Sequence, residues 1–120
     1  MGRLRLFLAL LIVDWTLGTP GVGVETRTSS NDVMGWVYGI AFLALIAALV
    51  LTWRGKPFAG PLAMVVGAVA ALLAVADLFG LTAGQPAPAA MVVVDVGGIA
   101  VSAAIVWAAS RVGRTTPLTA

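Results

Sequence analysis

Apolar residues form four long runs along the chain, and short polar connections separate them. The runs cover residues 4–18, 33–53, 58–81 and 89–112. The connections, TPGVGVETRTSSND, RGK and TAGQPAP, contain the Gly, Pro, Ser and Asn residues that are typical of turns. A helix needs about 20 mainly apolar residues to cross a bilayer. The pattern therefore predicts one all-α domain over residues 1–120, an integral membrane four-helix bundle with the lipid bilayer as its surroundings.

Composition supports the membrane class. The chain is 61% hydrophobic and 10% charged, with a mean hydropathy of +1.07, whereas soluble domains are about 25% charged. A soluble fold of 120 residues has too little interior to hide so much apolar surface. The sequence contains no Cys and no His, which excludes disulfides, thiolate sites and imidazole ligands within the chain. We therefore predict no metal site and no cofactor.

The basic residues predict an orientation in the membrane. The seven Lys and Arg residues are scattered, without the patch interleaved with aromatic residues that marks a nucleic-acid interface. Six of them fall on one side of a four-span arrangement, and only Arg27 falls on the other. The six are Arg3, Arg5, Arg54, Lys56, Arg111 and Arg114. The positive-inside rule then predicts a multi-pass cell-membrane protein with both termini in the cytoplasm.

The N-terminus has a competing interpretation. MGRLR followed by LFLALLIV resembles the first two regions of a signal peptide. Asp14 and Trp15 interrupt the apolar run, and no A-x-A cleavage motif follows. A cleaved signal would leave three spans, so the sequence favours a retained first span.

The acidic residues gather on the predicted outer side. They are Asp14, Glu25, Asp32, Asp77 and Asp95. An Asp at the bilayer centre costs roughly 2.5–3.5 kcal/mol, so we expect Asp14, Asp77 and Asp95 to face the bundle interior and to converge there. Arg27 is their natural partner, because a guanidinium bridges two carboxylates.

Helix periodicity extends this predicted site. Gly98 and Ser102 share a helix face with Asp95, and Gly35 and Gly39 form a GxxxG pattern that favours close approach of helices. Together these features predict an outward-facing, acid-lined pocket within the membrane. Its predicted ligand-binding residues are Asp14, Asp77, Asp95, Arg27, Glu25, Asp32, Trp15, Trp36, Tyr38 and Ser102.

A weak internal repeat is also present. Asp14 is followed by Asp32 at the same spacing at which Asp77 is followed by Asp95. The patterns D-x4-T-x-G and D-V-x-G therefore occur twice without a gap. Two repeated helical hairpins would be related by an axis along the membrane normal, and sites often form at such interfaces.

Three functions fit these features. The first is binding or transport of a small cationic or lipophilic solute, with protonation of an Asp coupled to solute movement. The second is an accessory subunit of a larger membrane complex, in which the Asp side chains bond across helices. The third is a membrane-embedded isomerase, cyclase or epoxide hydrolase, with Asp95 as general acid and Asp77 or Asp14 as base. The sequence ranks transport first and leaves the enzyme question and any homo-oligomer open.

Overall fold

Four helices account for almost all of the described chain. The computed structural model describes residues 2–18, 32–81 and 87–115, and of residues 32–34 and 112–115 it describes the backbone only. The helices are α1 (Gly2–Leu17), α2 (Asp32–Trp53), α3 (Ala59–Leu78) and α4 (Ala89–Thr115). They coincide with the four apolar runs, so the all-helical prediction is confirmed.

The helix ends differ from the predicted ends by a few residues. The third apolar run continues to Leu81, but α3 ends at Leu78 because Gly80 takes a positive φ of 78°. A left-handed glycine just after the last turn is a common way to end a helix. Gly55, with φ 68°, plays the same part in the short turn between α2 and α3.

Three of the helices, α2, α3 and α4, are long and apolar enough to cross a membrane. With 16 residues, α1 rises about 24 Å, less than the hydrocarbon core of about 30 Å. The fold therefore supports a membrane protein with three candidate spans, and a fourth crossing by α1 belongs to the proposal below.

The helices form an antiparallel bundle 50 Å long and 23 by 21 Å across. Helix α1 packs against α2 and α4, and α3 packs against the same two helices. Arg5 near the start of α1 lies over the ring of Trp53 at the end of α2, and Arg3 lies over Trp107 near the end of α4. The core between the helices is made of leucines and small residues. It consists of Leu4, Leu8, Leu11, Leu45, Ala48, Ala63, Val66, Ala70, Ile105, Ala108 and Ala109.

The bundle has two chemically different ends. We call one the basic end, which holds Arg3, Arg5, Arg54, Lys56 and Arg111. The other is the acidic end, which holds Asp14, Asp77 and Asp95. The charge separation read from the sequence is thus present along the long axis of the folded chain.

The α3–α4 contact depends on a glycine. A Cβ atom added to Gly67 would lie 3.1 Å from methyl carbons of both Ile105 and Val106, and 3.2 Å from the carbonyl oxygen of Ser102. Small residues allow this close approach of two membrane helices. The position fixes the register of α3 against α4.

The GxxxG pattern of α2 does not pack against the other described helices. Gly35 and Gly39 are both exposed, and a Cβ atom at either position would meet no described atom within 4 Å. The expectation that these glycines bring two helices of this bundle together was therefore wrong. A GxxxG spacing indicates a helix face of small residues, but it does not show whether that face packs within one chain or against another. In this chain the face is exposed on the outside of the bundle.

Candidate ligand site at the acidic end

Asp77 and Asp95 lie on the buried faces of α3 and α4. On α3 the buried face runs through Gly67, Ala70 and Ala74 to Asp77, at intervals of three or four residues. On α4 the same spacing leads from Met91 to Asp95 and on to Gly98 and Ser102. Only 6% of Asp77 and 7% of Asp95 is exposed. Both acids therefore extend a helix–helix contact that is otherwise made of small or apolar residues.

The two buried acids lie at the same position along the bundle axis. Gly67 of α3 is in contact with the turn of α4 that contains Ser102, Ile105 and Val106. Because the helices are antiparallel, the ten residues from Gly67 outward to Asp77 match ten residues back along α4, to the turn that contains Asp95. The register thus places the two carboxyl groups opposite each other rather than at different depths.

Asp14 lies one helical turn further into the bundle, against α4. One of its carboxylate oxygens is 2.7 Å from the place where a Cβ of Gly98 would be, and the other is 3.3 Å from that of Gly97. The missing side chains of these two glycines leave the room that the carboxylate occupies. Asp14 is half-buried, so its side chain faces α4 rather than the surroundings of the bundle.

An aromatic group begins at Trp15, the residue that follows Asp14 on α1. The ring of Trp15 meets that of Tyr38 edge-on at 5.7 Å and stacks on Phe42 at 6.2 Å. Sequence reasoning missed Phe42, although it lies one turn after Tyr38 on the same helix face. The predicted site residue Trp36 is 74% exposed on α2, so its side chain faces away from the bundle.

Ser102 lies two turns further along α4 than Asp95. It is completely buried, and its hydroxyl oxygen has no hydrogen-bond partner among the described residues. One carboxylate oxygen of Asp95 is likewise removed from solvent. Polar atoms therefore continue inward from the acidic end along the face of α4 that packs against α3.

Other predicted site residues fall outside the described side chains. Glu25 and Arg27 lie in residues 19–31, and of Asp32 only the backbone is described, as the first residue of α2. Asp95 is the seventh residue of α4, so the two members of this predicted repeat pair hold different places in their helices. The structure gives the internal repeat no support.

The functional groups at this site are carboxylates and aromatic rings. Within the part of the chain that the structure describes, no three acidic side chains lie close enough together to hold a metal ion. Three carboxyl groups within about one turn of one another, beside an indole and a phenol ring, instead suit a ligand that carries diffuse positive charge. The chain was compared with protein family models, curated proteins and solved structures, and none of them matches.

Proposed function

We propose that this chain is a four-span membrane protein that binds and transports a small organic cation at its acidic end. One observation carries the proposal: Asp77 and Asp95 are buried at the same level on the packed faces of α3 and α4. Carboxyl groups are expensive inside a membrane and generally serve solute pathways or proton relays when they occur there. Their placement inside the bundle, rather than at its surface, supports a binding role.

The neighbouring side chains favour a cation over a neutral lipophile. Asp14 reaches α4 through the gap at Gly97 and Gly98, and the next residue, Trp15, contacts the ring of Tyr38 on α2. A carboxylate supplies the opposite charge, and the face of an indole ring attracts a cation by its quadrupole. An organic cation would use both features, whereas an uncharged solute would leave the cost of three acids unexplained.

Transport follows if the cation and a proton exclude each other. A carboxyl group in this low-dielectric interior is stable when it is protonated or when a cation neutralises it. A cation that binds between α1, α3 and α4 would displace a proton from Asp77 or Asp95, and its release would allow that proton to return. This exchange couples the movement of the solute to that of a proton.

Binding of tetraphenylphosphonium to the purified protein in detergent tests the proposal. We expect saturable binding that releases protons into a weakly buffered solution. Asp77→Asn and Asp95→Asn should each weaken binding about thirtyfold, since losing one partner of a buried charge pair typically costs about 2 kcal/mol or more. Gly2→Lys is the matched control, because it makes the same change of net charge at an exposed position at the start of α1, at the basic end.

The outcomes separate the parts of the proposal. Equal binding by the wild type and by both buried-acid variants would refute a cation site at the acidic end. Binding without proton release would retain the site and refute the exchange. Loss of binding in Gly2→Lys as well would show a general effect of net charge rather than a local site.

An accessory subunit of a larger membrane complex is the second candidate, and the GxxxG face of α2 favours it. Gly35 and Gly39 leave a smooth exposed surface of the kind that membrane helices use for close contact. Native mass spectrometry of the protein extracted gently from its own membrane separates the candidates. A stoichiometric second protein would favour the subunit, and a lone chain with a small bound cation would favour the carrier.

A further inference from the structure

One serine hydroxyl inside the bundle is not bonded to its own helix. Three of the four serine and threonine side chains that the structure describes donate a hydrogen bond of 2.7 or 2.8 Å to a carbonyl oxygen three or four residues earlier. These are Thr16, Thr52 and Ser110. The fourth, Ser102, is completely buried, and its hydroxyl oxygen has no partner among the described residues. A buried polar group without a hydrogen bond is costly, which favours a bound ligand as its partner.

The Ser102 side chain tilts toward the acidic end of the bundle. A Cα–Cβ bond in an α-helix points toward the N-terminus of that helix, and the N-terminus of α4 is at the acidic end. Gly98 lies one turn before Ser102 on the same face and has no side chain. The Asp14 carboxylate occupies the space beside it, with one oxygen 2.7 Å from the Cβ position of Gly98. The hydroxyl of Ser102 is therefore carried toward the Asp14 carboxylate.

The carboxylate and the hydroxyl lie on adjacent turns, within reach of one ligand atom. Cβ positions four residues apart on a helix are about 5–6 Å from each other, and an N–H···O hydrogen bond spans about 2.7–3.2 Å. One nitrogen with two N–H groups can therefore donate to both Asp14 and Ser102. The next residues on this face of α4, Ile105 and Ala109, are buried and apolar, so the polar part of the face ends at Ser102.

The two groups together select a hydrogen-bond donor. A carboxylate only accepts hydrogen bonds, and it repels any anion placed beside it. A quaternary ammonium or phosphonium ion would neutralise Asp14 but would leave the Ser102 hydroxyl unbonded. A protonated amine carries several N–H donors together with its charge, so it satisfies both groups at once.

We propose that Asp14 and Ser102 bind the ammonium group of a protonated amine. This inference rests on the proposed function and narrows its substrate from any small organic cation to one with N–H donors. The bound ammonium group lies about one turn inward of Asp95, the distance from Asp95 to Gly98 along α4, so its charge remains close to the buried pair Asp77 and Asp95. The amine is the inner end of the ligand, because no polar group of this face lies deeper among the residues that follow Ser102 up to Ala109.

Calorimetric titration of the purified protein in detergent with two matched cations tests this site. Benzylammonium carries N–H donors and benzyltrimethylammonium carries none, while the aromatic ring and the charge are the same. The wild type should bind benzylammonium more tightly. Ser102→Ala should weaken benzylammonium binding about tenfold, because a hydrogen bond to a charged group is lost, and should leave benzyltrimethylammonium binding unchanged. Ser110→Ala is the matched control on the same helix, since it removes a hydroxyl that is bonded to the Trp107 carbonyl oxygen, and it should change neither.

A second variant separates charge from hydrogen bonding. Asp14→Asn should weaken the binding of both cations, because both lose the same opposite charge. An equal effect of Ser102→Ala on the two cations, or no effect on benzylammonium, would overturn the inference. Failure of both benzyl cations to bind a wild-type protein that binds tetraphenylphosphonium would also overturn this inference and leave the proposed function intact. Failure of all three cations to bind would refute the proposed function and the inference together.

Discussion

At the scale of single residues, two buried hydroxyl groups differ in how they are satisfied. Thr52 is completely buried, and its hydroxyl donates a hydrogen bond of 2.7 Å to the carbonyl oxygen of Ala48, one turn earlier. Ser102 is equally buried, but its hydroxyl has no partner among the described residues. A buried polar atom without a hydrogen bond costs about 1–3 kcal/mol. The Ser102 hydroxyl therefore lowers the stability of the fold unless a bound solute or water supplies its hydrogen bond.

Replacement of Ser102 by alanine should therefore stabilise the protein by about 1 kcal/mol. The measurement is reversible unfolding of the purified protein in detergent, followed by helical circular dichroism. The control Thr52→Val removes a hydroxyl that is already bonded, and it should be neutral or cost about 0.6 kcal/mol. A clear loss of stability in Ser102→Ala would contradict the prediction and would mean that this hydroxyl is satisfied in the native protein.

Sequence reasoning identified the acids but not the contacts that hold them. The cost of a carboxylate in lipid was enough to select Asp77 and Asp95 as interior residues, and both are buried. The contact of the Asp14 carboxylate with Gly97 and Gly98 was not predicted, because it depends on the register between α1 and α4. The glycines two and three residues after Asp95 were the available signal, but a pair of glycines does not show which helix fills the space beside it.

At the scale of helices, the apolar runs predicted where each helix lies because a bilayer-length run has few alternatives to a helix. They did not predict which face of each helix is inside. In α2 and α3 both faces are apolar, so periodicity carries little information about direction. The same small-residue spacing is buried around Gly67 and exposed at Gly35 and Gly39, and only the packed structure separates the two.

That difference predicts opposite effects for the same substitution. In Gly67→Ala the new Cβ would lie 3.1 Å from methyl carbons of Ile105 and Val106 on α4, so these side chains must move away from α3. Overpacking of this kind typically costs about 1–3 kcal/mol. Gly39→Ala meets nothing within 4 Å and gains up to about 1 kcal/mol of helix propensity. The free energy of unfolding, measured in detergent, should be higher for Gly39→Ala than for the wild type and lower for Gly67→Ala. The reverse order would refute the α3–α4 register.

At the scale of the whole molecule, charge and packing together favour four crossings rather than three. Helix α1 is short, but it lies along α4 over its whole length, from Arg3 at Trp107 to Gly18 beside Val94. A helix that is packed in this way shares the membrane depth of its neighbour. Its basic start and acidic end also match those of the bundle, so the positive-inside rule gives α1 the same orientation as α3.

Cysteine labelling in intact cells tests this topology, and the wild-type chain is its own blank because it contains no cysteine. Three exposed positions sample the bundle: Gly2 at the start of α1, Lys56 before α3 and Leu81 after α3. We expect a membrane-impermeant maleimide to modify Leu81→Cys from outside, because the proposed orientation puts the acidic end outside the cell. Gly2→Cys and Lys56→Cys should react only after the cells are made permeable, because basic segments stay in the cytoplasm.

External labelling of Lys56→Cys with protection of Leu81→Cys would invert the orientation. External labelling of Gly2→Cys alone would leave three crossings and place α1 outside the membrane, which its packing against α2 and α4 argues against.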